Sequence, residues 1–180
     1  METILELLKY TIPAIIVVIC SYMIVQKFLV SELKRKQFAL LHETQNITIP
    51  LRLQAYERLA LFTERMHPRQ LIPRVYEPGM TVSDLQQTLL FAIKTEFEHN
   101  LTQQIYVSKE VWSTVITVKE QELNMITHIA KQLKPDAPAK ELHVRIVDYV
   151  IGTESAMPTE IALQVINDEA KRVLSYGAQA

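Results

Sequence analysis

Three polar residues fall where apolar side chains are expected. At about 100° per residue, Glu96 and Asn100 lie on the same helix face as Ile93 and Phe97, and Arg52 lies on an apolar face between Tyr56 and Leu59. A charge on such a stripe has to be neutralised, because burying an unpaired ion is costly. If the two helices form an antiparallel hairpin with Met66 opposite Val82, Arg52 comes level with Glu96. The spacing therefore predicts an Arg52–Glu96 pair, with Asn100 as a further partner. One role for it is to fix helix pairing and register. Another is a ligand or partner site built on Glu96, with His99, Asn100, Tyr56 and Tyr106 around it.

A metal reading starts from Glu64-Arg-Met-His67 and Glu96-Phe-Glu-His99, which share the Glu-x-x-His spacing of di-iron bundles. Such a centre needs two further inward glutamates, and these pairs sit on the first two domain helices rather than the second and fourth. His67 precedes Pro68, where a cap is the simpler role. Cys20 is the only cysteine, so neither a disulfide nor a cysteine zinc site can be built. There is no Gly-x-Ser-x-Gly, no phosphate loop and no His-Glu-x-x-His. The sequence assigns no catalytic residue, no metal and no cofactor.

These residues have to be positioned by helices. From Tyr10 to Gln26 the only ionisable groups are two tyrosines and Cys20. Extended by Leu7, Leu8, Phe28 and Leu29, with Lys9 and Lys27 snorkelling, the run is long enough for a bilayer core of about 30 Å. Tyr10 suits an interface, and Pro13 sits near the start of the span. The positive charge follows the run and no small-x-small site comes after it, unlike a cleaved signal peptide. Lys27, Lys34, Arg35 and Lys36 follow the span, against Lys9 alone before it. The positive-inside rule then puts the N-terminus outside and the domain in the cytoplasm, in a bacterium at the inner membrane. The organisation expected is an anchor over 1–30, a juxtamembrane stalk helix over 31–47 and a cytoplasmic helical domain over 48–180.

The domain should be all-α, a bundle of about five helices. Residues 44–50 are expected to break the stalk helix, with Pro50 starting the next. Leu51, Ala55, Leu59, Phe62 and Met66 mark that helix, and 69–80, with Pro73, Pro78 and Gly79, should be a loop. Thr81 and Asp84 form a capping box for a helix to about Gln103, and Ser108 caps another to Leu133 with Trp112, Val115, Ile116, Leu123, Ile126 and Ala130 on its stripe. Lys134 to Pro138 is a turn; helices over 139–151 and 158–177 complete the bundle. The best strand signal, 104–107, has no partner.

Net charge is -1, against nucleic acid as a partner. Local basic charge is a different matter. Lys34, Arg35 and Lys36 lie just after the span, and a helix folding back would return Arg65, His67, Arg69 and Arg74 toward anionic lipid. The simpler alternative is a topogenic signal at 34–36 plus a solvated loop.

The stretch Leu51-Arg-Leu-Gln-Ala-Tyr-Glu-Arg-Leu-Ala-Leu-Phe62 resembles an uncharacterised family of small membrane-anchored proteins from Bacteroidetes. Ile4-Leu-Glu-Leu-Leu-Lys-Tyr-Thr-Ile-Pro13, Pro78-Gly79-Met80, Glu96-Phe-Glu-His-Asn100 and Leu101-Thr-Gln-Gln-Ile-Tyr-Val-Ser108 are similar to it as well. The resemblance covers residues 1–133 and is loose from Lys134 onward. It implies an anchor, an inner membrane and a bacterial source, and no catalytic residues. Function then narrows to a tethered interaction module with a protein partner. The rivals are a small-molecule or lipid-head-group binder or enzyme with a pocket at Glu96, and an accessory subunit of a membrane complex docking through Tyr149, Val150 and Ile151.

Overall fold

The computed structural model describes the backbone over 2–152 and 157–178, and side chains over 15–41, 43–152 and 157–175. Among the described residues the chain is all-α. Its helices are α1 (Glu2–Met66), α2 (Pro68–Val75), α3 (Val82–Glu98), α4 (Lys109–Ala130), α5 (Ala139–Gly152) and α6 (Pro158–Ala178), with a 3-10 turn at Leu101–Ile105. The segment around 104–107 therefore makes no strand, and among the described residues the sole β feature is an isolated bridge between Thr81 and Pro138. The chain divides into two compact units, Met1–Ile47 and Thr48–Ala180.

In the first unit α1 is apolar enough to cross a membrane: an 18-residue window has mean hydropathy 1.8 and none of it is buried. Ile16, Val18, Met23, Ile24 and Phe28 are all more than half exposed to solvent. The side chains of Leu7, Leu8, Lys9, Tyr10 and Pro13, which the sequence assigned to the start of the span, lie outside the described residues.

The expected break at 44–50 does not occur: these residues are helical within α1. Pro50 lacks the N–H that would bond the Asn46 carbonyl, a local cost. Ile49 packs against the core beside it, and Ala55, Tyr56, Leu59 and Phe62 are buried in the turns that follow. Tertiary packing thus outweighs the local breaker. Leu51, expected on the inward face, is 43% exposed.

The region 69–80 is also only partly a loop. Pro68 stands at the first position of α2, where its missing donor costs nothing. Leu71 and Ile72 are buried and Val75 packs on the core, so α2 exists to bury that face despite Pro73. The loop begins at Tyr76 and turns at Gly79, whose φ of +94° suits a residue without a Cβ.

The capping box forms. Thr81 Oγ1 accepts from the Asp84 N–H at 3.2 Å and Asp84 Oδ2 accepts from the Thr81 N–H at 3.0 Å. That backbone donor, with the Thr81 hydroxyl, holds the Asp84 carboxyl below the usual carboxylate range. The start of α3 is tied to the turn before α5: Val82 N donates to Ala137 O at 2.8 Å, Ser83 N to Pro135 O at 3.1 Å, and Ala139 N to Met80 O at 3.0 Å. One core joins α1 through Leu59 and Phe62, α3 through Leu85, Leu89 and Ile93, α4 through Val115 and Ile126, α5 through Leu142 and Ile146, and α6 through Ala162 and Ile166.

Candidate functional site

The polar residues gather at two carboxylates, and neither is joined as the sequence suggested. Glu96 pairs with Arg65 at 3.1 Å and with Arg74 at 4.0 Å. Among the described residues it makes no ion pair with Arg52. The hairpin geometry behind that expectation fails because α2 and the Gly79 turn occupy the connection. The start of α3 is drawn to residues 135–139, and its C-terminal part comes up beside Phe62 and Arg65 instead. There Phe97 tilts against Phe62, with ring centroids 5.9 Å apart, and stacks on Trp112 at 5.5 Å. Lys119 Nζ sits 4.3 Å over the Phe97 ring, an arrangement attractive to the ring quadrupole.

Asn100 does join Glu96, through the backbone: its Nδ2 donates to the Glu96 carbonyl at 2.8 Å. Asn100 is buried and stands where α3 has ended, so its role is to close that helix end. His99 is exposed. The crevice at Glu96, lined by Met66, Leu71, Ala92 and Ile93 along with its three charged groups, has no room for a water molecule.

Arg52 belongs to a second node, centred on Glu169 of α6. Its Nη2 lies 3.8 Å from Glu169 Oε1 and donates to the Tyr56 hydroxyl at 2.9 Å, while its Nε donates to the Tyr106 carbonyl at 3.0 Å. The Tyr56 hydroxyl donates to Glu169 Oε1 at 2.5 Å. Ser108 N donates to the same oxygen at 3.1 Å, and the Ser108 hydroxyl donates to Oε2. Ser108 Oγ also accepts from the Val111 N–H, capping α4 as the sequence suggested. One carboxylate thereby joins α1, the start of α4 and α6. Burial pushes the Glu169 carboxyl up, but the donors on Ser108 and Tyr56 and the Arg52 charge outweigh this and hold it below the usual range. Burial and the neighbouring carboxylate push the Tyr56 hydroxyl above its ordinary value.

A third acid, Glu122, lies on the buried face of α4 with 2% of its surface exposed. Its Oε2 has no hydrogen-bond partner among the described residues, and neither does the buried Thr159 hydroxyl. Burial alone pushes the Glu122 carboxyl up to about 7. Sequence reasoning missed both Glu169 and Glu122, although a signal existed. Glu122 continues the stripe of Val111, Val115, Val118, Ile126 and Ile129, and Glu169 falls between Ile166 and Val173. The stripe assigned to α4 also needs correction, since Ile116 is 37% exposed and Val111 and Val118 take the inner face.

His67 caps α2, its Nδ1 accepting from the Arg69 N–H at 3.1 Å. Burial, and then the Arg69 charge, lowers its affinity for a proton. Among the described residues no three of His, Cys, Asp and Glu gather to hold a metal ion. Of the basic residues, Lys34, Arg35 and Lys36 are exposed, Arg35 lying 3.8 Å from Glu32. Arg65 and Arg74 are engaged with Glu96, and Arg69 is exposed. At the end of α5, Val150 is buried while Tyr149 and Ile151 are more than half exposed.

The model of a family of unknown function, DUF7935, matches residues 2–173, and the chain belongs to that family. The match runs well past Lys134, through the segment whose resemblance was loose. No curated protein and no solved structure matches the chain.

Proposed function

We propose that this family member is a membrane-tethered interaction module. Residues 1–30 anchor it, 31–47 form a juxtamembrane helix, and 48–180 form a cytoplasmic domain that binds a protein partner at the bacterial inner membrane. The observation that carries this reading is the contrast in burial. The apolar window of α1 is entirely unburied, while the domain closes a core of its own. An apolar window of that length left bare in water would be strongly unfavourable, and a bilayer removes the cost. The interaction role is supported by Glu96: two arginines hold it beside a crevice closed to water, which leaves little for a substrate to use. Lys34, Arg35 and Lys36 supply the basic flank that orients the span and meets anionic head groups.

The test is fractionation of cells making the full chain. Alkaline carbonate leaves the protein in the membrane pellet, and protease removes the domain only from inside-out vesicles. Release by carbonate overturns the anchor, and digestion from the outer face overturns the orientation. Purification in mild detergent then recovers a stoichiometric partner protein; recovery of the chain alone overturns the interaction role.

A further inference from the structure

In the first unit, α1 carries a second pattern laid over its apolarity. Val30, Leu33, Gln37, Leu40, Thr44 and Ile47 recur at alternating steps of three and four. Val30, Leu33, Leu40 and Ile47 are 51%, 62%, 64% and 63% exposed. The same alternation reaches back through Gln26 and Met23 into the apolar run. A strict repeat of about 3.5 residues keeps one stripe on a straight line only if two helices wind round each other.

We propose that residues 30–47 are the seam of a parallel coiled-coil dimer formed with a second copy of this chain. In heptad terms Val30, Gln37 and Thr44 occupy the a positions, and Leu33, Leu40 and Ile47 the d positions. A β-branched residue at a with leucine at d favours two parallel strands, and a polar residue at a fixes register. Gln37 is answered at its own level only by a helix with a polar residue at the same point, which a second copy supplies.

Charge agrees with this choice. In the parallel register Lys34 flanks Leu29 of the other copy and Lys36 flanks Leu41, so no like charges meet across the seam. Leu29 and Leu41 are exposed and fit beneath those lysine stems. Area adds a condition. Burying the four apolar seam residues on each copy, at roughly 60–120 Å² per side chain, removes roughly 500–1,000 Å². That falls short of the ~1,200 Å² typical of a stable complex in solution. The deficit is met if both copies are held in one layer in the same orientation, because tethering raises their effective concentration. The dimer thus rests on the membrane reading above.

The test uses the full chain with Cys20→Ser and single cysteines, in native membranes treated with a mild oxidant. L33C and L40C on the seam should give disulfide-linked dimers at least about tenfold more readily than R35C and A39C, which point outward. No cross-linking, or equal cross-linking at all four positions, overturns the dimer. Carbonate extraction of the same membranes judges the anchor separately. If carbonate releases the chain, the tether that the dimer needs is gone and both readings fall; if the chain stays in the membrane and the four-position pattern is missing, the dimer alone falls.

Discussion

Glu169 and Glu122 are both carboxylates on inward faces of neighbouring helices, and their surroundings could hardly differ more. Glu169 receives the Ser108 N–H, two hydroxyls and an arginine, and its proton affinity falls. Among the described residues nothing donates to Glu122 Oε2, and burial raises its pKa to about 7. Burial raises the proton affinity of both acids, and the donors that Glu169 has and Glu122 lacks at Oε2 decide which of them strengthens this fold when ionised. The first favours the native state when ionised, and the second favours it when protonated.

The sharpest way to break that contrast is Glu122→Gln. The folded pKa is raised above the ordinary 4.5, so this group's contribution is full below pH 4.5 and is lost as pH rises toward 7. The gap corresponds to about 3 kcal/mol. Urea unfolding should therefore find the variant more stable by up to about 3 kcal/mol at pH 8 and unchanged at pH 4. A constant difference across that range refutes the assignment.

Glu169→Gln should behave in the opposite sense. Its folded pKa is depressed, so its stabilisation is present above pH 4.5 and disappears as pH falls through the folded value. The variant should lose about 2 kcal/mol at pH 7 and much less at pH 3. Tyr56→Phe removes one donor and leaves Ser108 and Arg52 in place. It should cost about 1 kcal/mol, with the Glu169 carboxyl resonance in an NMR titration moving to higher pH. The smallest effect is expected at Glu96, whose arginine partners are 37–40% exposed. Glu96→Gln should cost about 0.5 kcal/mol, and less as salt is added.

Residues that act through their immediate neighbours were legible. The Thr81–Asp84 capping box, the Ser108 cap and the turn after Lys134 all follow from side chains bonding backbone within a few positions. Leu59, Phe62, Leu85, Leu89 and Ile93 follow from periodicity. Residues whose partners lie far along the chain were not. Arg52 and Glu169 are more than a hundred positions apart, and nothing local announces that they meet. The helix at 68–75 was hidden by Pro73, and the continuity through Pro50 by a breaker signal that packing overrides.

Spacing along one chain was enough for α3 to α6, for the Thr81 and Ser108 caps and for the apolar run in α1. The tertiary structure decided which cation answers which acid. By inserting α2 between α1 and α3 and tying the start of α3 to the turn before α5, it gave Glu96 to Arg65 and Arg74 and left Arg52 for Glu169. An ion pair is a matter of a few ångströms, and a single extra helical element in a connection moves a side chain by more than that.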